Sequence, residues 1–188
     1  MNYKKIKKIV KGWSSNIWLI KNDEGKIFVK KEVREKSNRK NLAEREGKML
    51  ALANSIKIGP KLIETNYEKN FVIMEYIVGK KFLEFVFSKE FEKMNKKEVY
   101  DLIKELLRQG IALDEIGLRH NQLQIGKNIL VTKKILKKKI IPIIIDFEKS
   151  SLIKGKEKNF GQLTSFLFYN PNGVVAKKIR TKLNLTLN

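Results

Sequence analysis

The chain of 188 residues has no cysteine and only one histidine. The first absence excludes disulfide bonds, Cys-ligated zinc and thiol catalysis, and the second argues against a His-based metal site or a relay of several histidines. Long apolar runs are also missing: the longest, Ile140 to Ile145, contains Pro142, and the N-terminal residues show no apolar signal-peptide core. We therefore expect a cytoplasmic protein with no membrane segment.

Acidic residues are scarce relative to basic ones, with 20 Asp and Glu against 41 Lys and Arg, which gives a net charge of +21. A hydrophobic content of 42% with ten Phe indicates a folded chain rather than a disordered basic tail. Such a charge favours polyanions through salt-sensitive contacts. RNA or a ribonucleoprotein is therefore a candidate partner, and a lysine-rich surface that serves solubility or heat adaptation is the alternative.

Hydrophobic spacing predicts strands mainly in the first part of the chain and helices mainly in the second. Strands are expected at Ile17 to Lys21, Lys26 to Val33, Lys61 to Ile63, Phe71 to Ile77, Ile129 to Thr132 and Ile140 to Ile145. Helices are expected at Asn41 to Asn54, Phe82 to Met94, Asn95 to Gly117, Phe160 to Tyr169 and Val174 to Leu183. This order indicates an α+β protein.

A turn between two strands is predicted from Gly12 to Trp18. The small residues Gly12, Ser14 and Ser15 would let backbone N–H groups approach phosphate oxygens. An ordinary turn without a ligand is the alternative.

Glu46 lies inside the apolar stripe of the predicted helix from Asn41 to Asn54. An unpaired buried charge costs several kcal/mol, so Glu46 is expected to pair with a lysine of the neighbouring strand. We choose Lys30, which follows Ile27-Phe28-Val29, over Lys31. In the alternative, Glu46 lies at the edge of the stripe and reaches solvent.

Two later segments also carry candidate polar residues. The apolar run from Phe71 ends in Glu75 and Tyr76, and is either an extended segment with backbone groups for a ligand or a plain core strand. Farther on, Asn128 precedes one β-rich run and Asp146 ends the next, where it is followed by Phe147 and Glu148. Carboxylate and amide oxygens suit Mg²⁺. Asp146 capping a turn is the alternative.

Taken in order from roughly Ile9 to Ser150, these segments resemble the protein-kinase-like superfamily, especially small atypical archaeal-type Ser/Thr kinases of the Rio and Bud32 types. The aminoglycoside and choline phosphotransferases are more distantly similar. The resemblance implies a two-lobed fold with a mostly antiparallel N-terminal sheet plus one helix, and a reduced helical C-terminal lobe. It also implies a single domain over residues 1–188, with lobes at 1–78 and 79–188.

The same resemblance implies ATP and Mg²⁺ as cofactors and a protein substrate as partner. Asn128 and Asp146 would hold the metal, and Asp146 and Lys30 would act in catalysis together with Gln122. The nucleotide would contact Gly12, Ser14, Ser15, Lys30, Glu46, Glu75 and Tyr76. His120, at the start of the catalytic-loop motif, is expected to be structural.

Three departures from the kinase pattern shape the functional hypotheses. Gln122 stands where kinases have a catalytic Asp, and an amide cannot act as a base near neutral pH, although it can orient a hydroxyl or a water. His120 precedes Asn128 by eight residues rather than seven, and Glu148 replaces the glycine of Asp-Phe-Gly. The leading hypothesis is an atypical Ser/Thr kinase or ATPase. The alternatives are a pseudokinase-like RNA-associated module and a small-molecule phosphotransferase.

Overall fold

The computed structural model describes residues 2–11, 14–37, 41–134, 139–153 and 158–186. The chain divides into two units, each with its own packing. The first unit comprises Met1–Ile77 and the short segment Asp146–Ser150, and the second comprises Val78–Ile145 and Ser151–Asn188. Five residues from the later part of the chain thus belong to the first unit.

The first unit is an antiparallel sheet with one helix. Its elements are β1 (Tyr3–Lys11), β2 (Ser15–Asn22), β3 (Ile27–Val33), α1 (Leu42–Ser55), β4 (Leu62–Asn66), β5 (Phe71–Glu75) and a 3₁₀ turn (Phe147–Lys149). The strand order in the sheet is β1-β2-β3-β5-β4, and every neighbouring pair is antiparallel. The helix α1 packs against β3, β4, β5 and the 3₁₀ turn.

The predicted hairpin between β2 and β3 is confirmed. The Asn22 side chain accepts a hydrogen bond from the Lys26 backbone N–H at 2.8 Å, and Gly25 adopts a φ of 85°, which glycine reaches without steric cost. The resulting register pairs Lys21 with Ile27. Because side chains alternate along a strand, this register fixes which residues of β3 share a face of the sheet.

The two faces of β3 have different environments. Phe28 packs with Ile20, Phe71 and Ile73 in a buried apolar cluster on one face. Lys31 has the opposite parity, lies directly across from Val72, and is buried. Since α1 also packs on β3, the face that carries Lys31 is the one that α1 covers.

The second unit is mostly helical. Its elements are β6 (Lys80–Lys81), α2 (Phe82–Val86), α3 (Lys89–Lys93), α4 (Lys96–Glu115), β7 (Leu118–Arg119), a 3₁₀ turn (Leu123–Ile125), β8 (Ile129–Lys134), β9 (Lys139–Ile144), β10 (Ser151–Leu152), α5 (Lys158–Thr164), a π-helical turn (Ser165–Tyr169) and α6 (Val174–Leu183). The strands form a three-stranded sheet in the order β6-β8-β9 and a β10-β7 pair. Within the described ranges, no helix combines the length and the apolar character needed to cross a bilayer.

Helix boundaries follow local capping. The predicted capping box of α4 is confirmed, because the Asn95 side chain accepts from the Glu98 N–H at 3.0 Å while the Glu98 carboxylate accepts from the Asn95 N–H at 2.8 Å. The single helix predicted from Phe82 to Met94 is instead two, α2 and α3. Ser88 has extended backbone and its hydroxyl caps α3, which interrupts the helical hydrogen bonding.

A polar network fixes the start of α5 beside the end of α4. Both carboxylate oxygens of Asp114 accept backbone N–H groups from the first turn of α5, including Asn159 and Phe160 at 2.9 Å each. The Asn159 side chain in turn donates to the Leu118 carbonyl at 2.6 Å and accepts from the His120 N–H at 2.8 Å. This network holds the loop that follows β7 in place.

Candidate functional site

A buried lysine on β3 is the centre of the candidate site in the first unit. The Lys31 ammonium lies 2.7 Å from a carboxylate oxygen of Glu46 on α1, and the two side chains are 9% and 3% exposed. The same nitrogen lies 2.7 Å from Asp146 Oδ1 and 3.0 Å from Glu148 Oε2. One cation therefore contacts three carboxylates, which we call the Lys31 cluster.

The lysine that pairs with Glu46 is Lys31 and not Lys30. Lys30 was expected to pair with Glu46, and this was wrong, because Lys30 projects from the other face of β3. Its ammonium bonds Glu32 at 2.9 Å and lies 4.0 Å from the centre of the Phe71 ring. The expectation that Glu46 needs a buried cation from the neighbouring strand is itself confirmed, with Lys31 as that cation.

Backbone conformation places the two carboxylates of the 146–150 segment. Asp146 has φ 65° and ψ 66°, in the left-handed region that Asp visits more readily than most residues. The next residue, Phe147, is fully buried, and its ring lies against Gly59, where an added Cβ would come within 2.9 Å of it. Phe147 thus anchors Asp146 and Glu148 to the first unit.

Burial and the neighbouring charges shift the pKa values of Lys31 and Glu46 in the cluster. Burial alone would lower the pKa of the Lys31 ammonium, but attraction by Glu46, Asp146 and Glu148 outweighs it and raises that pKa above its usual value. Burial raises the pKa of the Glu46 carboxyl, and repulsion by Asp146 and Glu148 adds to the rise while Lys31 opposes it. Within the cluster, three carboxyl groups thus contact a single ammonium.

The three carboxylates meet the distance requirement for a shared cation. One oxygen from each of Glu46, Asp146 and Glu148 lies within 4.8 Å of the others. Oxygen donors of this kind suit Mg²⁺. The chemistry of the donor set therefore fits a magnesium ion, while the ammonium of Lys31 contacts all three carboxylates in this structure.

The predicted phosphate loop is described in part. Gly12 lies outside the described residues. The Ser14 hydroxyl donates to Glu148 Oε1 at 3.4 Å, and Ser15 is buried as the first residue of β2, opposite Val33 of β3. Ser14 is thus connected to the Lys31 cluster.

The end of β5 is held by Lys61. The Glu75 N–H donates to the Lys61 carbonyl at 2.8 Å, and the Glu75 carboxylate accepts from the Lys61 N–H at 3.1 Å. Tyr76, the next residue, is half-buried. These bonds use the Glu75 N–H, which therefore cannot also donate to a ligand.

In the second unit, the loop after β7 brings Gln122 and Asn128 together. The Asn128 side-chain N–H donates to Gln122 Oε1 at 3.3 Å, and Asn128 is 4% exposed. His120 is fully buried, and its Nε2 lies 2.9 Å from the Ile145 carbonyl oxygen. These contacts agree with the structural role expected for His120.

A 3₁₀ turn, Leu123–Ile125, lies between His120 and Asn128. The turn ends at Gly126, whose φ is 69°. A Cβ at that position would lie 2.4 Å from Cζ of Phe166, so glycine is required both for backbone conformation and for space.

The fold of the chain has clear structural relatives. The Rio2 kinase of Chaetomium thermophilum, in its ADP/Mg²⁺-phosphoaspartate complex, matches with a TM-score of 0.63 and 18% identity, over 96% of this chain and 62% of that chain. A second Rio2 kinase structure from the same organism matches with a TM-score of 0.65 and 15% identity, over 95% of this chain and 57% of that one. The chain thus spans about three fifths of the length of these kinases. These matches confirm the predicted α+β, protein-kinase-like fold of the Rio type.

Sequence comparison adds the family. No family model matches the chain. A curated relative, the uncharacterized protein MJ1211 of Methanocaldococcus jannaschii, is 30% identical over 115 residues, which is 61% of this chain and 87% of the relative. This chain belongs to the family of MJ1211.

Proposed function

We propose that this protein binds Mg²⁺ and ATP and acts as an atypical Ser/Thr protein kinase or ATPase. The observation that carries the proposal is the Lys31 cluster, in which a buried lysine is held by a helix carboxylate and by two carboxylates of the 146–150 segment. A kinase-like fold needs a lysine for phosphate charge and an acidic residue for the metal, and the cluster supplies both.

Each residue has a defined task in this proposal. Lys31 neutralises phosphate charge, and Glu46 holds its ammonium in place. Asp146 would hold Mg²⁺, and the resemblance to kinases implies Asn128 as a further ligand. When bound, the ion neutralises charge on the phosphates and fixes their orientation. Glu148 adds a third carboxylate to the cluster and accepts a hydrogen bond from the Ser14 hydroxyl.

The test of the nucleotide site is calorimetry of ATP binding with Mg²⁺, with phosphate release measured on the same samples. Asp146→Ala is expected to weaken ATP binding at least about tenfold, since one metal-ligand carboxylate is lost. Asp23→Ala is the control, because Asp23 is exposed in the β2–β3 turn of the same unit. Phosphate release that persists unchanged in Asp146→Ala would contradict the assignment.

The amide of Gln122 determines the rate of phosphoryl transfer that we expect. Its amide oxygen can accept a hydrogen bond from an acceptor hydroxyl or a water, but it cannot take up the proton. Phosphoryl transfer depends mainly on positioning and charge stabilisation, so slow turnover with Gln122 is expected.

Gln122→Asp is therefore expected to raise the turnover number by roughly ten- to a hundredfold, because a general base contributes in that range or above it. The affinity for ATP should stay the same. Turnover is measured as ADP formation under saturating ATP. Gln124→Asp, an exposed position in the same turn, is the control and should leave the rate unchanged. Equal rates for both variants would show that Gln122 does not face the reacting group.

A second candidate function is association with RNA, and β1 carries the observation that favours it. This edge strand exposes Lys4, Lys5, Lys7 and Lys8. The ammonium groups of Lys5 and Lys8 lie 4.4 and 4.6 Å from the centre of the Trp18 ring. Cations beside an aromatic ring are typical of surfaces that bind phosphates and bases.

If β1 binds RNA, affinity for a mixed tRNA sample is expected to fall by about tenfold or more between 50 and 200 mM salt. The double variant Lys4→Glu, Lys7→Glu should weaken binding strongly. The double variant Lys89→Glu, Lys93→Glu makes the same change in net charge on exposed positions of α3 and is the control. Fluorescence anisotropy measures both, and equal losses would remove β1 as the specific surface.

A further inference from the structure

A second apolar stripe runs along α4, apart from the stripe that forms the core. The core stripe of α4 includes Leu102 and Leu106, which are fully buried. The second consists of Tyr100, Leu107 and Ile111, spaced by seven and four residues, so they share one side of the helix. Tyr100 is 56% exposed and Ile111 is 42% exposed. Apolar side chains at helical spacing that remain exposed are typical of an interaction surface.

These side chains form one wall of a groove of about 740 Å³ in the second unit. The remaining apolar lining residues are Ile103 of α4, Phe160 of α5, Phe168 of the π-helical turn, Leu183 at the end of α6, and Leu185 just after it. Leu185 is 47% exposed. The groove is therefore concave, apolar along its floor, and open to solvent.

The rim of the groove is basic. Its charged lining residues are Lys96, Lys97, Lys104 and Arg108, and no acidic residue lines it within the part of the chain that the structure describes. Lys97 pairs with Asp101 and Arg108 pairs with Glu105 along the helix surface. Within the described ranges, Lys96 and Lys104 have no carboxylate partner, so they give the rim a positive excess.

We infer that this groove docks an acidic amphipathic helix of a partner protein. From Lys96 to Ile111 the groove follows α4 for about 22 Å, at about 1.5 Å of rise per residue, which matches about four turns of a bound helix. The apolar side of that helix would lie against Tyr100, Leu107 and Ile111, and its Asp and Glu residues would meet the lysines of the rim.

The charge and the shape of the groove select this partner over others. A nucleic acid would meet the basic rim but would leave the apolar floor without a complement. A lipid surface is flat on this scale and would not fill a concave groove. The apolar side of an acidic helix would cover the floor, and its carboxylates would pair with the basic rim. This docking site does not depend on the nucleotide-binding proposal.

The probe is a fluorescent 16-residue peptide with leucines at positions i, i+4, i+7 and i+11 and glutamates beside them, titrated with the whole chain in the absence of nucleotide. Fluorescence anisotropy should give saturable binding that weakens as salt rises, since the rim contacts are electrostatic. A peptide of the same composition in scrambled order should bind at least about tenfold more weakly, because it has no apolar face.

Matched variants locate the binding surface. Ile111→Ser should weaken peptide binding at least about tenfold, whereas Leu83→Ser should not, although Leu83 on α2 is 43% exposed, close to the value for Ile111. Lys104→Glu should likewise weaken binding, whereas Lys89→Glu on α3 should not. Circular dichroism of each variant confirms that the fold is retained.

Several results would overturn the inference. The first is no binding of the peptide to the unmodified chain at 100 µM, on the order of the weakest specific docking interactions. The second is equal binding of the scrambled peptide, or equal effects of the groove and control variants. A dimer that Ile111→Ser dissociates would show that a second copy occupies the groove. Binding to phosphatidylserine vesicles or to tRNA that the same variants abolish would assign the groove to those ligands instead.

Discussion

Lys31→Met is expected to lower the free energy of unfolding by about 3–5 kcal/mol, because it leaves the buried carboxylate of Glu46 without its cation. The side chain of Lys31 is only 9% exposed and those of Glu46 and Glu148 are 3% and 9% exposed, so water cannot replace the lost ammonium. Methionine keeps the unbranched shape and most of the volume of the lysine, so the effect reports the charge rather than a cavity. Urea denaturation followed by circular dichroism measures the change.

The neighbouring lysine supplies the control. Lys30→Met makes the same chemical change one position earlier on β3, but Lys30 pairs with Glu32, whose side chain is 27% exposed, and the expected loss is about 1 kcal/mol or less. Adding Glu46→Gln to Lys31→Met should recover part of the lost stability, because it removes an uncompensated buried charge. Equal losses for Lys30→Met and Lys31→Met would contradict the geometry of the Lys31 cluster.

Phe147→Ala is expected to cost about 3–5 kcal/mol, as truncation of a fully buried phenylalanine does. The ring of Phe147 fills space beside Gly59 and α1, and the alanine would leave a cavity there. Because Phe147 anchors the segment that carries Asp146 and Glu148, its loss should also weaken Mg²⁺-dependent ATP binding. Denaturation measures the first effect and calorimetry the second.

Phe87→Ala is the matched control for Phe147→Ala, since Phe87 is 50% exposed and should lose less than about 1 kcal/mol. Phe147→Leu is a milder variant that keeps most of the apolar volume and should keep most of the stability. ATP binding that stays at the wild-type level in a folded Phe147→Ala protein would show that the segment holds its carboxylates in place without the ring.

The sequence predicted those parts of the fold that depend on local chemistry. Asn22 to Gly25 gave the hairpin because its side-chain and glycine requirements are met within four residues. Asn95 and Glu98 gave the start of α4 for the same reason. The order of the polar segments led to the kinase-like fold, which the structural relatives confirm.

The wrong prediction for Lys30 concerns which face of β3 the helix α1 covers. Two adjacent lysines on a strand point to opposite faces, and the choice between them depends on which face the helix covers. Phe28 packs in the core cluster on the face away from α1. Lys30 is two residues from Phe28 and therefore projects from the same face. Since Phe28 on one face and Val29 and Val33 on the other are all apolar, the pattern of hydrophobic residues alone could not show which face α1 covers.

The contact of Glu148 with Lys31 could also not be predicted from the sequence. It depends on the left-handed backbone of Asp146 and on the burial of Phe147, neither of which has a local sequence requirement. The sequence shows that Glu148 replaces the glycine of the kinase motif, but only the structure shows that Glu148 pairs with Lys31.

Because residues 146–150 belong to the first unit, the chain cannot be cut after Ile77 into two fragments that each contain a complete unit. A fragment that ends at Ile77 would contain Lys31 and Glu46 but would lack the aromatic ring and the two carboxylates that complete their surroundings. Its complement would retain those five residues with nothing to receive them. The two pieces are thus interdependent by connectivity, and we expect them to regain their native packing through fragment complementation rather than as autonomous folding units.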